Sequence, residues 1–191
     1  MTKGRLEAFS DGVLAIIITI MVLQLKVPRG NELTALQPIV PVFFSYLLSF
    51  FYVGIYWNNH HHLLQATQAV NGRILWANLH LLFWLSLIPF ATAWNGNSNF
   101  APWPLAVYGV VLLCSGFAYS LLVWSLVAHH GQESLVATSV GRDRKGLASL
   151  AIYSAAIPFA FVSPWISSAL YLVVALIWLV PDSRIEKNFK Q

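Results

Sequence analysis

Charge is what this sequence has least of. Asp, Glu, Lys and Arg make up 9% of its 191 residues, against about 25% in a soluble domain. So few charges cannot cover the surface of a water-exposed globule, which excludes a soluble protein. Disorder is excluded as well, because it needs low hydrophobicity and high net charge, and 58% of these residues are hydrophobic. Cysteine is almost absent. The single Cys114 lies inside an apolar run, which leaves no disulfide framework and no cysteine-based metal site, and it reads as inert packing. Also missing are an internal repeat, a low-complexity segment and any polar stretch long enough to form a second domain. Residues 1–191 therefore read as one membrane-embedded unit.

Six apolar segments are present, at about 5–27, 37–57, 73–94, 103–128, 147–162 and 165–180, each near the roughly 20 residues that one helical crossing needs. The last two come from a charge-free stretch, 147–180. As one helix it would reach roughly 51 Å, well beyond a hydrocarbon core of roughly 30 Å. Pro158, Ser163 and Pro164 are read as the hairpin that divides it. Lys3 and Arg5 before an apolar run resemble the start of a signal peptide, but Glu7 and Asp11 interrupt that run and no small-residue cleavage site follows. It is read as a retained first span.

Loop charges fix the expected orientation. Six spans place Lys3, Arg5, Arg73, Arg142, Arg144, Lys145, Arg184, Lys187 and Lys190 on one side, and only Lys26 and Arg29 on the other. That bias predicts both termini in the cytoplasm. The isoelectric point near 9.4 thus reads as topology signal and not as nucleic-acid binding. Trp57, Trp76, Trp94 and Trp103 flank loops as interfacial anchors, while Trp84 sits mid-span and reads as protein packing.

The first span carries the chemistry. It reads Arg5-Leu6-Glu7-Ala8-Phe9-Ser10-Asp11-Gly12-Val13-Leu14-Ala15-Ile16-Ile17-Ile18-Thr19-Ile20-Met21-Val22-Leu23. On a helical wheel Phe9, Gly12, Ile16, Ile20, Leu23 and Val27 fall within about 40° of one line, with Thr19 beside it. Asp11 points about 140° away and Ser10 about 120° away on the other side. The apolar stripe and the polar residues therefore serve different surfaces. Ionisable groups inside a span are costly, and Glu7 and Asp11 lie on one face at i,i+4, so a donor from a neighbouring span should compensate them.

Arg5-x-x-x-Phe9-Ser10-Asp11-Gly12-Val13, followed by Ala15-Ile16, resembles the signature of the endosomal/lysosomal potassium channel family, the transmembrane-protein-175 family. Trp57-x-x-His60-His61 is similar to that family's Trp-x-x-His-His element, and Asn78-Leu79 through Leu87-Ile88-Pro89-Phe90 is similar to its third-span pattern. The resemblance covers the first three spans. It implies an all-α subunit of six transmembrane helices, four copies around a central pore lined by the first helix, and residence in a cell membrane. No Thr-Val-Gly-Tyr-Gly filter string is present. Carried over by position, the constriction falls on Ile16, Ile20 and Leu23, the stripe that the wheel isolates. Thr19 then either adds a hydroxyl ring or bonds back to a carbonyl one turn earlier. Arg5, Phe9, Ser10, Asp11, Trp57, His60, His61 and Asn78 form the implied structural network, with Asn58 and His80 as further partners; Arg5 either joins it or snorkels. The expected function is potassium-permeable, potassium-over-sodium conduction through a hydrophobic constriction that gates by dewetting. The expected partners are copies of itself and membrane lipid, with no cofactor beyond the permeant potassium ions.

Other chemistries fit less well. His60, His61 and His62 are adjacent on a helix and point about 100° apart, which disfavours one shared metal ion. With His80, His129 and His130 they form none of the His-x-x-His boxes of a membrane oxygenase. The cluster reads as interfacial, with scope for pH sensitivity. A proton-coupled transporter using Glu7 and Asp11 is the alternative, but no inverted repeat of the opening motif accompanies it. No spaced arginine ladder and no nucleophile elbow occurs, so voltage sensing and hydrolytic catalysis lack support, and no enzymatic activity is expected. A non-conducting membrane scaffold is the third class.

Overall fold

The structure, a computed structural model, describes residues 2–140 and 143–179. Every regular element among them is helical. In chain order these are α1 (Lys3–Val22), a 3₁₀ helix (Leu33–Ile39), α2 (Val40–Gln65), α3 (Gly72–Ser86), α4 (Ile88–Asn97), α5 (Pro102–His130), α6 (Leu135–Val140), α7 (Arg144–Val162) and α8 (Pro164–Leu179). Helices are the natural outcome for so apolar a chain, because in lipid each backbone polar group must be satisfied within its own segment.

Four helical runs are long and apolar enough to cross a membrane: Leu33–Gln65, Gly72–Asn97, Pro102–His130 and Arg144–Val162. The chain is thus a multi-pass membrane protein. The first helix is 20 residues long but carries Lys3, Arg5, Glu7 and Asp11. The last, α8, has 16 described residues. The run Gly72–Asn97 is not one uninterrupted helix. Pro89 has no N–H to donate and its ring crowds the carbonyl one turn earlier, so α3 stops at Ser86 and α4 resumes at Ile88, with Leu87 N–H bonded to the Trp84 carbonyl three residues back.

Several boundaries differ from the hydropathy reading. The first helix ends at Val22 and not near residue 27, and Leu23, Gln24 and Leu25 continue with tighter bonds to Ile20, Met21 and Val22. Leu23 therefore sits at the helix end, and Val27 lies beyond it. Pro28 biases Val27 toward extended backbone, which keeps the helix from running through that position. Helix α2 runs eight residues past the expected end at 57, which puts Trp57, His60 and His61 inside it. Pro158 lies within α7 and plays no part in the turn, which consists of Ser163 in an extended conformation before Pro164. A short helix, α6, occupies a segment read as loop. Of the basic residues used for orientation, Arg142, Arg184, Lys187 and Lys190 lie outside the described residues.

The ends of the bundle differ in charge. At one end Lys3 Nζ donates to the Gln65 carbonyl at 3.2 Å, Ala69 N–H reaches His130, and Lys145 Nζ lies 6.0 Å from the Trp178 ring centre. Arg73 and Arg144, in the first turns of α3 and α7, share that end. At the other end Trp103 packs edge-on against Phe161, with ring centres 4.9 Å apart.

Between them, α2, α4 and α5 are joined by buried hydroxyls. Ser45 Oγ donates to the Thr92 carbonyl at 2.9 Å, Thr92 Oγ1 donates to Ser49 Oγ at 2.7 Å, and Ser49 pairs with the Tyr108 hydroxyl at 2.9 Å. Lipid gives helices no hydrophobic reason to associate, so such bonds and close backbone contact hold the bundle. Gly96 supplies a close backbone contact: a Cβ there would lie 2.7 Å from the Val42 Cα. Gly96→Ala is therefore expected to push α4 off α2 and cost about 1–3 kcal/mol. Its thermal melt in detergent should fall below that of the parent protein, and an equal melt would show that the contact relaxes freely.

Candidate functional site: the first helix and its anchors

Helix α1 has two faces of opposite fate. Leu6, Ser10, Leu14, Ile17 and Met21 are buried against the rest of the chain. The stripe is not: Ile16, Ile20 and Leu23 are 58%, 42% and 76% exposed, and Phe9 is 49% exposed on the same side. Among the described residues this apolar surface, four turns long, stays largely uncovered. Thr19 donates its hydroxyl to the Ile16 carbonyl at 2.9 Å, the backward bond to the preceding turn.

The buried side carries the polar residues, and three elements converge there. His60 Nε2–H in α2 donates to Asn78 Oδ1 in α3 at 2.7 Å, and Asn78 Nδ2 donates to Ser10 Oγ in α1 at 3.0 Å. Ser10 closes the chain by donating to the Leu6 carbonyl at 2.9 Å. Each polar atom in this relay has one compatible role, which fixes the orientation of the Asn78 amide. All three side chains are 1% exposed or less. Among the described residues His60 Nδ1 has no hydrogen-bond partner.

One turn away, the two carboxylates receive separate donors. Trp57 Nε1–H donates to Asp11 Oδ1 at 3.1 Å. His61 Nδ1 lies 3.3 Å from Glu7 Oε1, while its Nε2 accepts from the Gln65 amide at 2.8 Å. The Trp57 and His61 rings stack, 6.0 Å apart and 18° from parallel. The i,i+4 repulsion between Glu7 and Asp11 is thereby met by two donors from one face of α2.

Not every residue of the expected network is in this cluster. Phe9 is on the exposed stripe and Arg5 is exposed. Asn58 is exposed, and His80 accepts instead from Trp84 Nε1–H at 2.9 Å. Sequence reading overlooked Gln65 as the second partner of His61, and the Ser45–Thr92–Ser49–Tyr108 hydroxyls. The i,i+4 spacing of Ser45 and Ser49 on α2 was the available signal for the latter. Among the described residues no group of three His, Cys, Asp or Glu side chains is placed to hold a metal ion.

Residues 5–89, which contain the whole cluster, match the family described as endosomal/lysosomal potassium channel TMEM175. Over all 191 residues the chain is 56% identical to a potassium channel of Chryseobacterium sp. (strain P1-3), with each chain covered completely. The chain belongs to the TMEM175 family.

The fold of this TMEM175 member agrees with that assignment. It superposes on the crystal structure of a lysosomal potassium-selective channel TMEM175 homolog from Chamaesiphon minutus with a TM-score of 0.81 at 26% identity, covering 93% of this chain and 96% of that one. The human endosomal/lysosomal proton channel TMEM175 is 30% identical over 185 residues, and the match covers 85% of this chain but 36% of the human protein. These relatives are channels, and this TMEM175 member is a membrane protein of a channel family and not an enzyme.

Proposed function

We propose that this TMEM175 member is a potassium-permeable, potassium-over-sodium selective leak-type channel. It assembles from four copies in the cell membrane, each crossing six times with both termini in the cytoplasm, and α1 lines the central pore. One observation carries the reading. Ile16, Ile20 and Leu23 form an exposed apolar face on a helix whose opposite face, Leu14, Ile17 and Met21, is no more than 4% exposed and held by buried polar bonds. A four-fold axis along that face brings twelve apolar side chains around one passage. Such a constriction offers an ion no oxygen ligands in place of its water, so it gates by dewetting and conducts only when hydrated. Potassium sheds water more readily than sodium, which favours it. Ser10, Asp11, Trp57, His60, His61 and Asn78 serve as the scaffold that holds α1 in place. Crossings by α1 and α8 bring the four long apolar runs to six, and the basic end then faces the cytoplasm.

A second reading, proton movement through Glu7 and Asp11, is favoured by the pairing of Glu7 with a titratable His61 and by the name proton channel on the human relative. One experiment separates the two. The purified protein is placed in liposomes, its assembly is measured by mass, and potassium, sodium and proton fluxes are compared. Potassium flux exceeding sodium flux from a tetramer is the expected result. Proton flux that needs a potassium gradient and disappears in Glu7→Gln would overturn it in favour of the coupled transporter. An absence of every flux would leave the scaffold.

A further inference from the structure

At the basic end of the bundle, two histidines at the close of α5 hold the turn between α2 and α3. His130 Nε2 accepts from the Ala69 backbone N–H at 3.2 Å, and its Nδ1 lies 3.0 Å from the Leu126 carbonyl. A carbonyl can only accept, so Nδ1 carries the proton and Nε2 is bare. His129 Nδ1 lies 3.1 Å from Asn71 Nδ2. The Asn71 side chain caps α3, its Oδ1 accepting from Ile74 N–H at 3.0 Å. That capping bond fixes the amide, so Asn71 can only donate toward His129, and His129 Nδ1 is bare as well. Both bonds to the turn therefore require neutral imidazole. A proton on either bonded nitrogen sets two N–H donors against each other and breaks the bond.

The turn held in this way belongs to the hairpin that carries α1. Helix α2 supplies Trp57 and His61 to α1, helix α3 supplies Asn78, and Lys3 donates to the carbonyl of Gln65 at the end of α2. Beside the latch lies a cleft of about 610 Å³ lined by Ala66, Gln68, His130 and the turn after α5, which leaves the released segment room to move. Among the described residues, the charged and titratable groups on the elements around it are Glu133, which lines the same cleft, Arg73 in the first turn of α3, His62 in the last turn of α2, Lys3 on α1, and Asp143, Arg144 and Lys145 at the start of α7.

We propose that His129 and His130 form an acid-released latch that couples the α2–α3 hairpin, and through it the pore helix, to the pH on the basic face of the channel. Imidazole gains its proton on acidification, so the latch is closed in the neutral form and open in the protonated form. Its effect on flux rests on the channel reading above, whereas the opening itself does not.

The test is amide hydrogen exchange on the whole protein in lipid nanodiscs at about pH 7.5 and 5.5, spanning the imidazole window. Rates are corrected for the intrinsic pH dependence. Peptides covering 66–74 should exchange about fivefold faster or more at the acid pH, the effect of losing one hydrogen bond. In His129→Gln/His130→Gln, whose amides accept and donate without titrating, the two pH values should give equal corrected rates. In His130→Arg the segment should exchange fast at both. A pH-independent rate in the parent protein, or a response surviving in the double glutamine variant, overturns the latch. In liposomes, potassium efflux should change when the basic face is acidified and should not change in the glutamine variant; an equal response in both overturns the coupling to the pore. An absence of efflux at every pH, with the exchange response intact, counts against the channel reading and not against the latch.

Discussion

Ile16→Asn is expected to raise sodium flux toward potassium flux in reconstituted liposomes. Ile16 is 58% exposed in the single chain and lies one helical turn from Ile20. In a tetramer the substitution places four amides where four branched hydrocarbons stood. Each amide offers an oxygen acceptor and two donors, so water stays in the constriction and the dewetting barrier falls. The barrier difference between the two ions falls with it, because neither must shed its shell as completely. A tenfold loss of discrimination corresponds to about 1.4 kcal/mol, less than the roughly 2–7 kcal/mol that separates a buried amide from a hydrocarbon when both must leave water. Leu23→Asn should act in the same direction, because Leu23 stands on the same exposed stripe, at the C-terminal end of α1. Discrimination left intact by both substitutions would move the constriction off this stripe.

Asn78→Leu is expected to have the largest effect on stability. Asn78 is fully buried and stands between His60 and Ser10. Leucine matches the branched shape of the Asn78 side chain but its methyl groups are bulkier than the amide, so some overpacking accompanies the main loss. The loss is polar: His60 Nε2–H keeps its place and loses its acceptor, and Ser10 Oγ loses a donor. Each buried group left without a partner costs about 1–3 kcal/mol, so about 2–6 kcal/mol is expected in all, and at membrane depth no water is at hand to replace either bond. Thermal unfolding in detergent reads the loss, and size-exclusion chromatography reads whether α1 still presents its stripe to other copies. A sharp comparison is Ser10→Ala, which removes the receiving oxygen but leaves His60 and Asn78 bonded, so its melt should fall less. Equal melts for Asn78→Leu and the parent protein would show that the relay contributes nothing to holding α1.

The helical elements were largely legible in the linear sequence because the bilayer imposes a simple rule. A segment in hydrocarbon must be apolar and must satisfy its own backbone, so hydropathy alone locates α2, α5 and α7. The finer boundaries were not legible to hydropathy, which does not register hydrogen-bond geometry. Val22 rather than Val27 ends α1 because the last bonds tighten to three residues, and the extension of α2 through His60 and His61 runs into polar residues that hydropathy scores as loop. Pro158 misled in the opposite way. A proline inside a helix is tolerated in lipid when neighbouring helices absorb the strain, so it lies in α7 and not in the turn.

The sequence by itself determined that this is a multi-pass, helical membrane protein, and its opening motif identified the family. Both follow from local properties: apolar length, loop charge and a run of residues on one helix. Which polar residues meet was decided only by the tertiary structure. Asn78 and Ser10 are 68 positions apart, Trp57 and Asp11 are 46, and Asn71 and His129 are 58. No periodicity links such pairs. They exist because the up-and-down packing of α1, α2, α3 and α5 stacks certain turns at one depth, and a buried polar atom at that depth must bond to whatever the neighbouring turn presents.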